Sequence, residues 1–318
     1  MPGGTRRTRY ARLATERANP ASLDLDRLSA RHIAQLMNRE DARAVRAVGR
    51  VAARIAAAVE LIVASLSRGG RLFFVGAGTS GRLGVLEAAE CPPTFGTPPR
   101  LVQAIMAGGR ASVFRSREGA EDDRAAAARE VRRRVRSGDV VIGVSASGVT
   151  PFVRAALHEA RRRGAITALV ACNAASAAGA RVVIDPRPGP EVLAGSTRLK
   201  AGTATKLVLN TLTTASMARL GRVYGNRMID VQARSRKLRD RALRLVEELG
   251  GVSRPRAARA LAHARGRVRI AVVTARTGAT PRDAARALAN AGGSLRALLE
   301  TSPRVVKARA RNGESRRR

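Results

Sequence analysis

The chain contains no tryptophan and few aromatic residues of any kind. Two Tyr and five Phe make up 2% of its 318 residues, so a buried core must consist of Ala, Val, Leu and Ile. Scarce aromatic rings argue against a protein that stacks the bases of single-stranded nucleic acid. No run reaches the roughly 18 apolar residues of a membrane-spanning helix, and the Arg-rich N-terminus lacks the hydrophobic core of a signal peptide. We therefore expect a cytoplasmic protein.

Cysteine and histidine are also rare. Cys91 and Cys172 are the only cysteines and lie far apart in the sequence. Two isolated thiols indicate a reducing compartment and exclude a disulfide framework. His32, His158 and His263 are equally dispersed. We expect no metal site and no cofactor.

Acidic residues are outnumbered by basic ones, and lysine is nearly absent. The chain has 24 Asp and Glu against 60 Lys and Arg, a formal net charge of +36, and only four of the 60 are Lys. Such a charge would ordinarily suggest a nucleic-acid partner. The arginines are scattered rather than gathered in one stripe, and Ala and Gly are abundant too, as in a GC-rich genome. The sequence therefore predicts no specific nucleic-acid partner.

Short apolar runs alternate with helical stretches through the middle of the chain. The strand-like runs are Leu72–Val75, Leu101–Met106, Asp139–Val144, Ile166–Cys172 and Arg181–Ile184. This alternation predicts an α/β fold with a doubly wound, five-stranded parallel sheet. A 2-1-3-4-5 strand order, as in flavodoxin-like folds, is expected.

The remaining segments suggest a domain layout. Residues 1–61 are predicted to form an N-terminal arm and a long helix, with helical spacing from Glu40 to Ser67 before two glycines. Residues 62–235 form the sheet domain. Residues 236–300 form a small helical module, and 301–318 form a basic, disordered tail.

The stretch on which the fold depends follows the first strand. The turn Gly76-Ala77-Gly78-Thr79-Ser80-Gly81 joins an apolar run to a helix that Pro92 and Pro93 should end near Glu90 or Cys91. Such a turn offers backbone N–H groups and a helix N-terminus to a phosphate. It fits G-x-G-x-x-G, but the next strand carries no acidic residue at its tip, so a dinucleotide site is not indicated. The alternative is a tight turn without a ligand.

A second hydroxyl-rich turn follows the third strand. Ser145, Ser147 and Thr150 precede a helix that begins near Pro151. In a 2-1-3-4-5 sheet, the loops after the first and third strands meet where the strand order reverses, which is where ligands bind. Neither loop has a Lys or a metal-binding acid, which favours a sugar monophosphate over a nucleotide. The alternative is that these hydroxyls merely cap helices.

These two loops resemble those of the sugar-isomerase (SIS) domain, which binds phosphosugars. More narrowly, four runs resemble the N-acetylmuramic acid 6-phosphate etherase family: GAGTSGRLGVLEAAECPPTFG from Gly76, EGAED from Glu118, KAGTATKLVLNTL from Lys200 and GRVYGNRMIDV from Gly221. The similarity extends over about residues 15 to 300. It implies a metal-free homodimer that cleaves a D-lactyl ether, releasing N-acetylglucosamine 6-phosphate and D-lactate.

The resemblance also implies which residues act. It identifies Glu90 as the proton donor and Glu121 as the base. The sequence predicts that Glu90 lies at a helix C-terminus, where the helix dipole disfavours a carboxylate, raises its pKa and suits a proton donor. The residues implied to bind the phosphosugar are Gly78, Thr79, Ser80, Ser145, Ser147, Thr150, Glu191 and Lys200.

Two positions depart from the family pattern, and one other function stays open. Val149 stands where the family usually has Arg, and Ala174 where it usually has Pro. The alternative function is a non-catalytic phosphosugar sensor that acts on a partner protein. Such a sensor could keep the hydroxyl loops without the two acids, so the presence of Glu90 and Glu121 favours the lyase.

Overall fold

A computed structural model describes residues 13–173, 177–231 and 235–301 of the chain. Its contacts divide the chain into two compact units, of which the first contains Met1–Glu90 and Pro98–Ser216 and the second Cys91–Thr97 and Met217–Arg318. The domain boundaries drawn from the sequence, at 61, 235 and 300, stay a prediction about folding units. Ala174 and the predicted disordered tail beyond 301 lie outside the described residues.

The first unit opens with short turns and two helices. Three 3-10 turns (Ala14–Glu16, Pro20–Ser22 and Leu25–Arg27) precede α1 (Ala30–Arg50) and α2 (Ala52–Ser67). The prediction of one helix from Glu40 to Ser67 was wrong at both its start and its continuity. Ser29 starts α1 earlier by accepting a hydrogen bond from the His32 N–H, and the helix breaks at Val51, whose N–H bonds only three residues back.

Five parallel strands form the sheet of the first unit. They are β1 (Leu72–Gly76), β2 (Val102–Met106), β3 (Val140–Val144), β4 (Ile166–Val170) and β5 (Val182–Ile184). Their order is β2-β1-β3-β4-β5, and all four pairings are parallel. The predicted five-stranded parallel sheet and its order are confirmed, because buried strands between glycine-rich turns leave a strong local signal.

Helices connect and cover these strands. They are α3 (Gly78–Phe95), α4 (Ala111–Phe114), α5 (Arg124–Arg134), α6 (Pro151–Arg162) and α7 (Lys200–Arg219), with a 3-10 turn at Ala120–Asp122. One core lies between the sheet and α5 and α6, where Phe73, Val131 and Leu157 are buried together. Most of its side chains are aliphatic, chiefly Ala and Val, but Phe73 and Phe152 are buried there too, so the core is not exclusively aliphatic as the sequence predicted.

Helix α3 continues past the point where the sequence predicted its end. Pro92 and Pro93 lie inside the helix, which ends at Phe95. A proline costs a helix one backbone hydrogen bond and crowds the carbonyl four residues earlier. Cys91 and Phe95 are both buried, and the Gly96 N–H bonds to the Pro92 carbonyl at 3.0 Å. Burial of the last turn therefore offsets the local preference to stop.

The second unit is mainly helical. A two-stranded hairpin, β6 (Val223–Tyr224) with β7 (Arg227–Met228), precedes the helices. These are α8 (Arg236–Gly250), α9 (Arg254–His263), α10 (Val268–Thr277), α11 (Pro281–Asn290) and α12 (Leu295–Thr301). Val246, Leu261 and Val272 lie in its core. Among the described helices of both units, none is long and apolar enough to cross a membrane.

Candidate active site

The turn after β1 depends on two glycines that touch. A Cβ on Gly76 would lie 2.7 Å from the Gly81 nitrogen, and a Cβ on Gly81 would lie 2.6 Å from the Gly76 carbonyl oxygen. Any side chain at either position would separate the end of β1 from the start of α3. Gly78 between them has φ +52, a conformation that glycine adopts without strain. The turn thus brings the first N–H groups of α3 close to the strand end.

The loop after β3 holds a connected cluster of hydroxyl groups. The Ser145 Oγ lies 2.7 Å from the Thr150 Oγ1 and 3.3 Å from the Ser147 Oγ. The Gly148 N–H donates to the Ser145 Oγ, and the Val149 N–H donates to the Ser147 Oγ. Gly148 has φ +73, so the loop turns sharply enough to bring its hydroxyls together.

The two loops are neighbours in space. Gly76, the last residue of β1, is the register partner of Val144, the last residue of β3. Adjacent strands lie about 4.8 Å apart, so Ala77 and Ser145 begin their loops side by side. Helices α3 and α6 start just beyond, and their N-termini favour an anion. This arrangement places two hydroxyl-bearing loops and two helix N-termini together, where an anion would be favoured.

Helix capping does not account for these hydroxyls. Thr150 is the N-cap residue of α6, yet its side chain makes no capping hydrogen bond and is directed to Ser145 instead. Thr79 and Ser80, at the start of α3, are half-buried, and the described part of the chain provides no hydrogen-bond partner for either side chain. The hydroxyls of both loops therefore retain the capacity to bind an oxyanion.

Glu121 lies in a small pocket beside the first loop. It belongs to the 3-10 turn that follows Gly119 and is exposed. Asp123, not Glu121, caps α5 by accepting a hydrogen bond from the Ala126 N–H at 2.8 Å. The pocket has a volume of about 280 Å³, and Glu121 lines it together with Gly78. Two of the predicted site residues thus line one pocket.

Glu90 lies elsewhere in the chain. It is in the interior of α3, five residues before the helix ends, and is exposed. The expected position of Glu90 at a helix C-terminus was wrong, because α3 continues to Phe95. Twelve residues of α3 separate Gly78 from Glu90, about 18 Å at 1.5 Å per residue. Glu90 is not among the residues that line the Glu121 pocket.

One turn before Glu90, a carboxylate that the sequence did not single out is buried. Glu87 accepts a hydrogen bond from the Thr213 Oγ1 at 2.7 Å. Burial raises the pKa of Glu87, and the nearby Glu90 carboxylate adds to the rise, against the Thr213 hydrogen bond and the charge of Lys206. Glutamates at i and i+3 on a helix are neighbours, a spacing that could have signalled the pair.

Lys200 lies in a buried ion pair. Its Nζ donates to the Glu40 Oε2 at 2.5 Å, and the same oxygen accepts from the Asn19 Nδ2 at 2.9 Å. Burial acts to raise the pKa of Glu40, but the hydrogen bonds from Lys200 and Asn19 and the charge of Arg43 outweigh it, so this pKa is lowered. Sequence reasoning missed these contacts of Glu40 and Asn19, since Glu40 lies 160 residues before Lys200 and leaves no local pattern.

Glu191 holds the start of α7. Its two carboxylate oxygens accept hydrogen bonds from the backbone N–H groups of Lys200 at 2.8 Å and Ala201 at 2.9 Å. The side chain is fully buried, and burial raises its pKa even though both N–H groups favour the charged form. Helix capping is therefore the role that its contacts show.

The N-terminal arm packs against the same end of the sheet. The Asn173 Oδ1, just beyond β4, accepts from the Ala14 N–H at 2.8 Å, and its Nδ2 donates to the Ala146 carbonyl at 2.9 Å. Thr15 and Asn19 are buried. One side chain thus ties the arm to the hydroxyl loop, a role for Asn173 that the sequence did not reveal.

Known proteins match the chain over nearly its whole length. An N-acetylmuramic acid 6-phosphate etherase of Symbiobacterium thermophilum is 52% identical over 269 residues, which cover 84% of this chain and 90% of the relative. The etherase of a Synechocystis species is 47% identical over 294 residues, covering 92% and 96%. This chain belongs to the N-acetylmuramic acid 6-phosphate etherase family. The family resemblance predicted from its motifs is confirmed.

Two further comparisons cover part of the chain. The family model for the glucokinase regulatory protein N-terminal SIS domain matches residues 54–161, a range that contains both hydroxyl loops. A phosphoheptose isomerase from Neisseria gonorrhoeae is 19% identical, with a TM-score of 0.48 over 60% of this chain and all of that one.

Val149, where the etherase family usually has Arg, is half-buried in the hydroxyl loop. The contact that it makes there comes from its backbone, whose N–H donates to the Ser147 Oγ at 3.2 Å. Any residue other than proline supplies that donor. This hydrogen bond of the loop therefore does not depend on the Val149 side chain.

Proposed function

We propose that this chain is a carbon–oxygen lyase that cleaves the D-lactyl ether of N-acetylmuramic acid 6-phosphate. The products are N-acetylglucosamine 6-phosphate and D-lactate. The observation that carries the proposal is about 50% identity, over more than four-fifths of the chain, to relatives named for this activity. The cradle of hydroxyls at the ends of β1 and β3 supports a phosphosugar as substrate.

The 6-phosphate occupies this cradle in the proposal. Gly78, Thr79 and Ser80 offer N–H and hydroxyl groups from one side, and the hydroxyls of Ser145, Ser147 and Thr150 do so from the other. Hydrogen bonds to a charged acceptor are the stronger kind, and two helix N-termini add favourable dipoles. The implied contacts of Lys200 and Glu191 with substrate stay a prediction, because both side chains already have buried partners.

The reaction requires an acid and a base. The proton at C2 is acidic only when the sugar ring is open and C1 is an aldehyde. Glu121 takes this proton, and Glu90 protonates the ether oxygen as the bond from C3 breaks and D-lactate departs. Water then adds to the C2–C3 double bond and leaves a hydroxyl at C3. Each such proton transfer contributes about 10²- to 10⁴-fold to the rate.

A homodimer is part of the proposal, and the position of Glu90 supports it. Glu90 lies about 18 Å along α3 from Gly78 and is not among the residues that line the pocket of Glu121. A second chain is the simplest source of the proton donor. We also propose a cytoplasmic location, no cofactor or metal, and no membrane or specific nucleic-acid partner.

The comparisons favour the lyase over the phosphosugar sensor. The regulatory-protein model covers residues 54–161 only, whereas the etherases match over 84% of the chain or more. The deciding experiment is incubation of the purified protein with N-acetylmuramic acid 6-phosphate and enzymatic assay of D-lactate. Steady release in stoichiometric amounts with N-acetylglucosamine 6-phosphate is expected. Binding without any lactate would support the sensor instead.

A further inference from the structure

The pocket beside Glu121 has a wall that the proposed mechanism does not use. Arg82, one turn into α3, and Ser112 and Ser116, on and after α4, line it together with Gly78 and Glu121. With a volume of about 280 Å³, the pocket suits one substituent of a sugar rather than a second whole ligand.

Arg82 is held at one edge of its guanidinium group. Its Nε donates to the Val113 carbonyl at 2.8 Å, and its Nη2 lies 3.4 Å from the Ser116 Oγ. Within the described ranges, no ion pair joins Arg82 to a carboxylate. A guanidinium has five N–H donors in a planar fork that matches a carboxylate. Arg82 is therefore a fixed cation whose remaining donors are free for an anion.

Ser112 adds a second polar group without a partner. Its side chain is 3% exposed, and its Oγ has no hydrogen bond within the part of the chain that the structure describes. The hydroxyl occupies the space where a Cβ on Gly108 would lie, at 2.2 Å. Buried hydroxyls are nearly always hydrogen-bonded, so an unsatisfied one that lines a pocket points to a ligand atom.

The proposed substrate has an anionic group that could reach Arg82 and Ser112. This assignment rests on the proposed function. The substrate has two anionic groups, the phosphate on C6 and the carboxylate of the lactyl ether on C3. Glu121 acts at C2, which is bonded to C3, so the lactyl carboxylate lies near Glu121 in any reactive pose. We propose that Arg82 binds the lactyl carboxylate and that the Ser112 hydroxyl donates to it.

Arg117 is a natural control for this assignment. It lines the same pocket, but it is exposed, and among the residues that the structure describes no hydrogen bond or ion pair fixes its side chain. Solvent screens an exposed, mobile charge. Replacing Arg117 removes one positive charge from the same pocket, as replacing Arg82 does, but it leaves the fixed guanidinium group of Arg82 in place.

The test compares two ligands that differ only in the lactyl group. Dissociation constants for N-acetylmuramic acid 6-phosphate and N-acetylglucosamine 6-phosphate are measured by calorimetry in the Glu121→Gln background, which prevents turnover. Adding Arg82→Gln should weaken the first ligand about tenfold or more, as expected for a charged hydrogen-bonded pair, and leave the second unchanged. Arg117→Gln should change neither, and Ser112→Ala should weaken only the first.

Other outcomes overturn the assignment. If Arg82→Gln weakened the binding of both ligands equally, Arg82 would be a residue that supports α4 or the phosphate cradle. If it changed the affinity for neither ligand, Arg82 would not belong to the site. An analogue with the lactyl carboxylate converted to an amide gives a readout that needs no Arg82 variant. Wild-type protein should bind it about tenfold more weakly than the acid, and equal affinity would contradict the proposal.

Failure of the proposed function looks different. In that case wild-type protein would release no D-lactate, whether or not it binds the phosphosugar. If wild-type protein binds and cleaves the substrate but Arg82→Gln does not distinguish the two ligands, only the carboxylate assignment is wrong.

Discussion

The Lys200 Nζ lies 2.5 Å from the Glu40 Oε2, and each side chain is 2% exposed. The two residues are 160 positions apart, so the pair joins α1 to the start of α7. Removing one member of a buried pair leaves an uncompensated charge, whereas removing both can be nearly neutral. The pair therefore fixes the place of α7 beside the hydroxyl loops.

We predict that Glu40→Gln strongly destabilises the protein. The variant leaves the Lys200 ammonium buried without a carboxylate, which costs about 3–5 kcal/mol. Adding Lys200→Met should recover a large part of this loss in urea unfolding. Arg43→Gln, which removes the exposed partner of the same carboxylate, should cost less than about 1 kcal/mol. An equally mild effect of Glu40→Gln would show that the pair is not structural.

The Glu40–Lys200 pair should also affect how the stability of the protein depends on pH. The pKa of Glu40 is lowered in the folded protein, so its contribution is present above the ordinary glutamate pKa and is lost as the pH falls through the lowered value. The free energy of unfolding of the wild type should therefore fall more steeply below about pH 4.5 than that of Glu40→Gln. Parallel curves for the two proteins would contradict this.

Ser147→Ala should weaken binding of a sugar 6-phosphate about tenfold or more, because hydrogen bonds to a charged group contribute about 1.5–3 kcal/mol each. The measurement is the dissociation constant of N-acetylglucosamine 6-phosphate. Ser137→Ala is the matched control, since Ser137 is an exposed serine before β3, at the end of the strand away from the cradle. Unchanged affinity in Ser147→Ala would remove this hydroxyl from the phosphate site.

Glu121→Gln should stop exchange of the C2 proton with solvent. In deuterated water, wild-type protein should introduce deuterium at C2 as the substrate is consumed, because the base returns solvent-derived protons. The variant should show neither exchange nor lactate release while still binding the phosphosugar. Exchange at the wild-type rate, followed by NMR, would mean that another group is the base.

Mixing two inactive variants should restore activity if the proton donor comes from the second chain. Glu90→Gln and Glu121→Gln each disable one acid, and each should release almost no lactate alone. After dissociation and random reassembly, half of the dimers are mixed and each has one complete site, so about a quarter of wild-type activity is expected. If Glu90 acted on the substrate of its own chain, no mixed dimer would have a complete site, and the mixture would stay inactive.

Much of the sheet unit could be predicted because its signals are local. Apolar runs such as Val140–Val144, bounded by glycine and hydroxyl residues, indicate buried strands wherever they occur. The handedness and order of parallel strands then place the loops after β1 and β3 side by side. The hydroxyl cradle follows from these rules and from the family motifs, before any coordinates.

Tertiary packing decided what local rules could not. Pro92 predicts the end of a helix, but burial of Phe95 carries α3 beyond it, and this moves Glu90 from a helix end to a helix interior. Lys200 read alone is a solvated cation, yet Glu40, distant in sequence, buries it as an ion pair. Ser112 has an unremarkable sequence context, and only the missing Cβ of Gly108 places its hydroxyl in a pocket with Arg82. In each case the deciding interaction is a contact between segments that come together only when the chain folds.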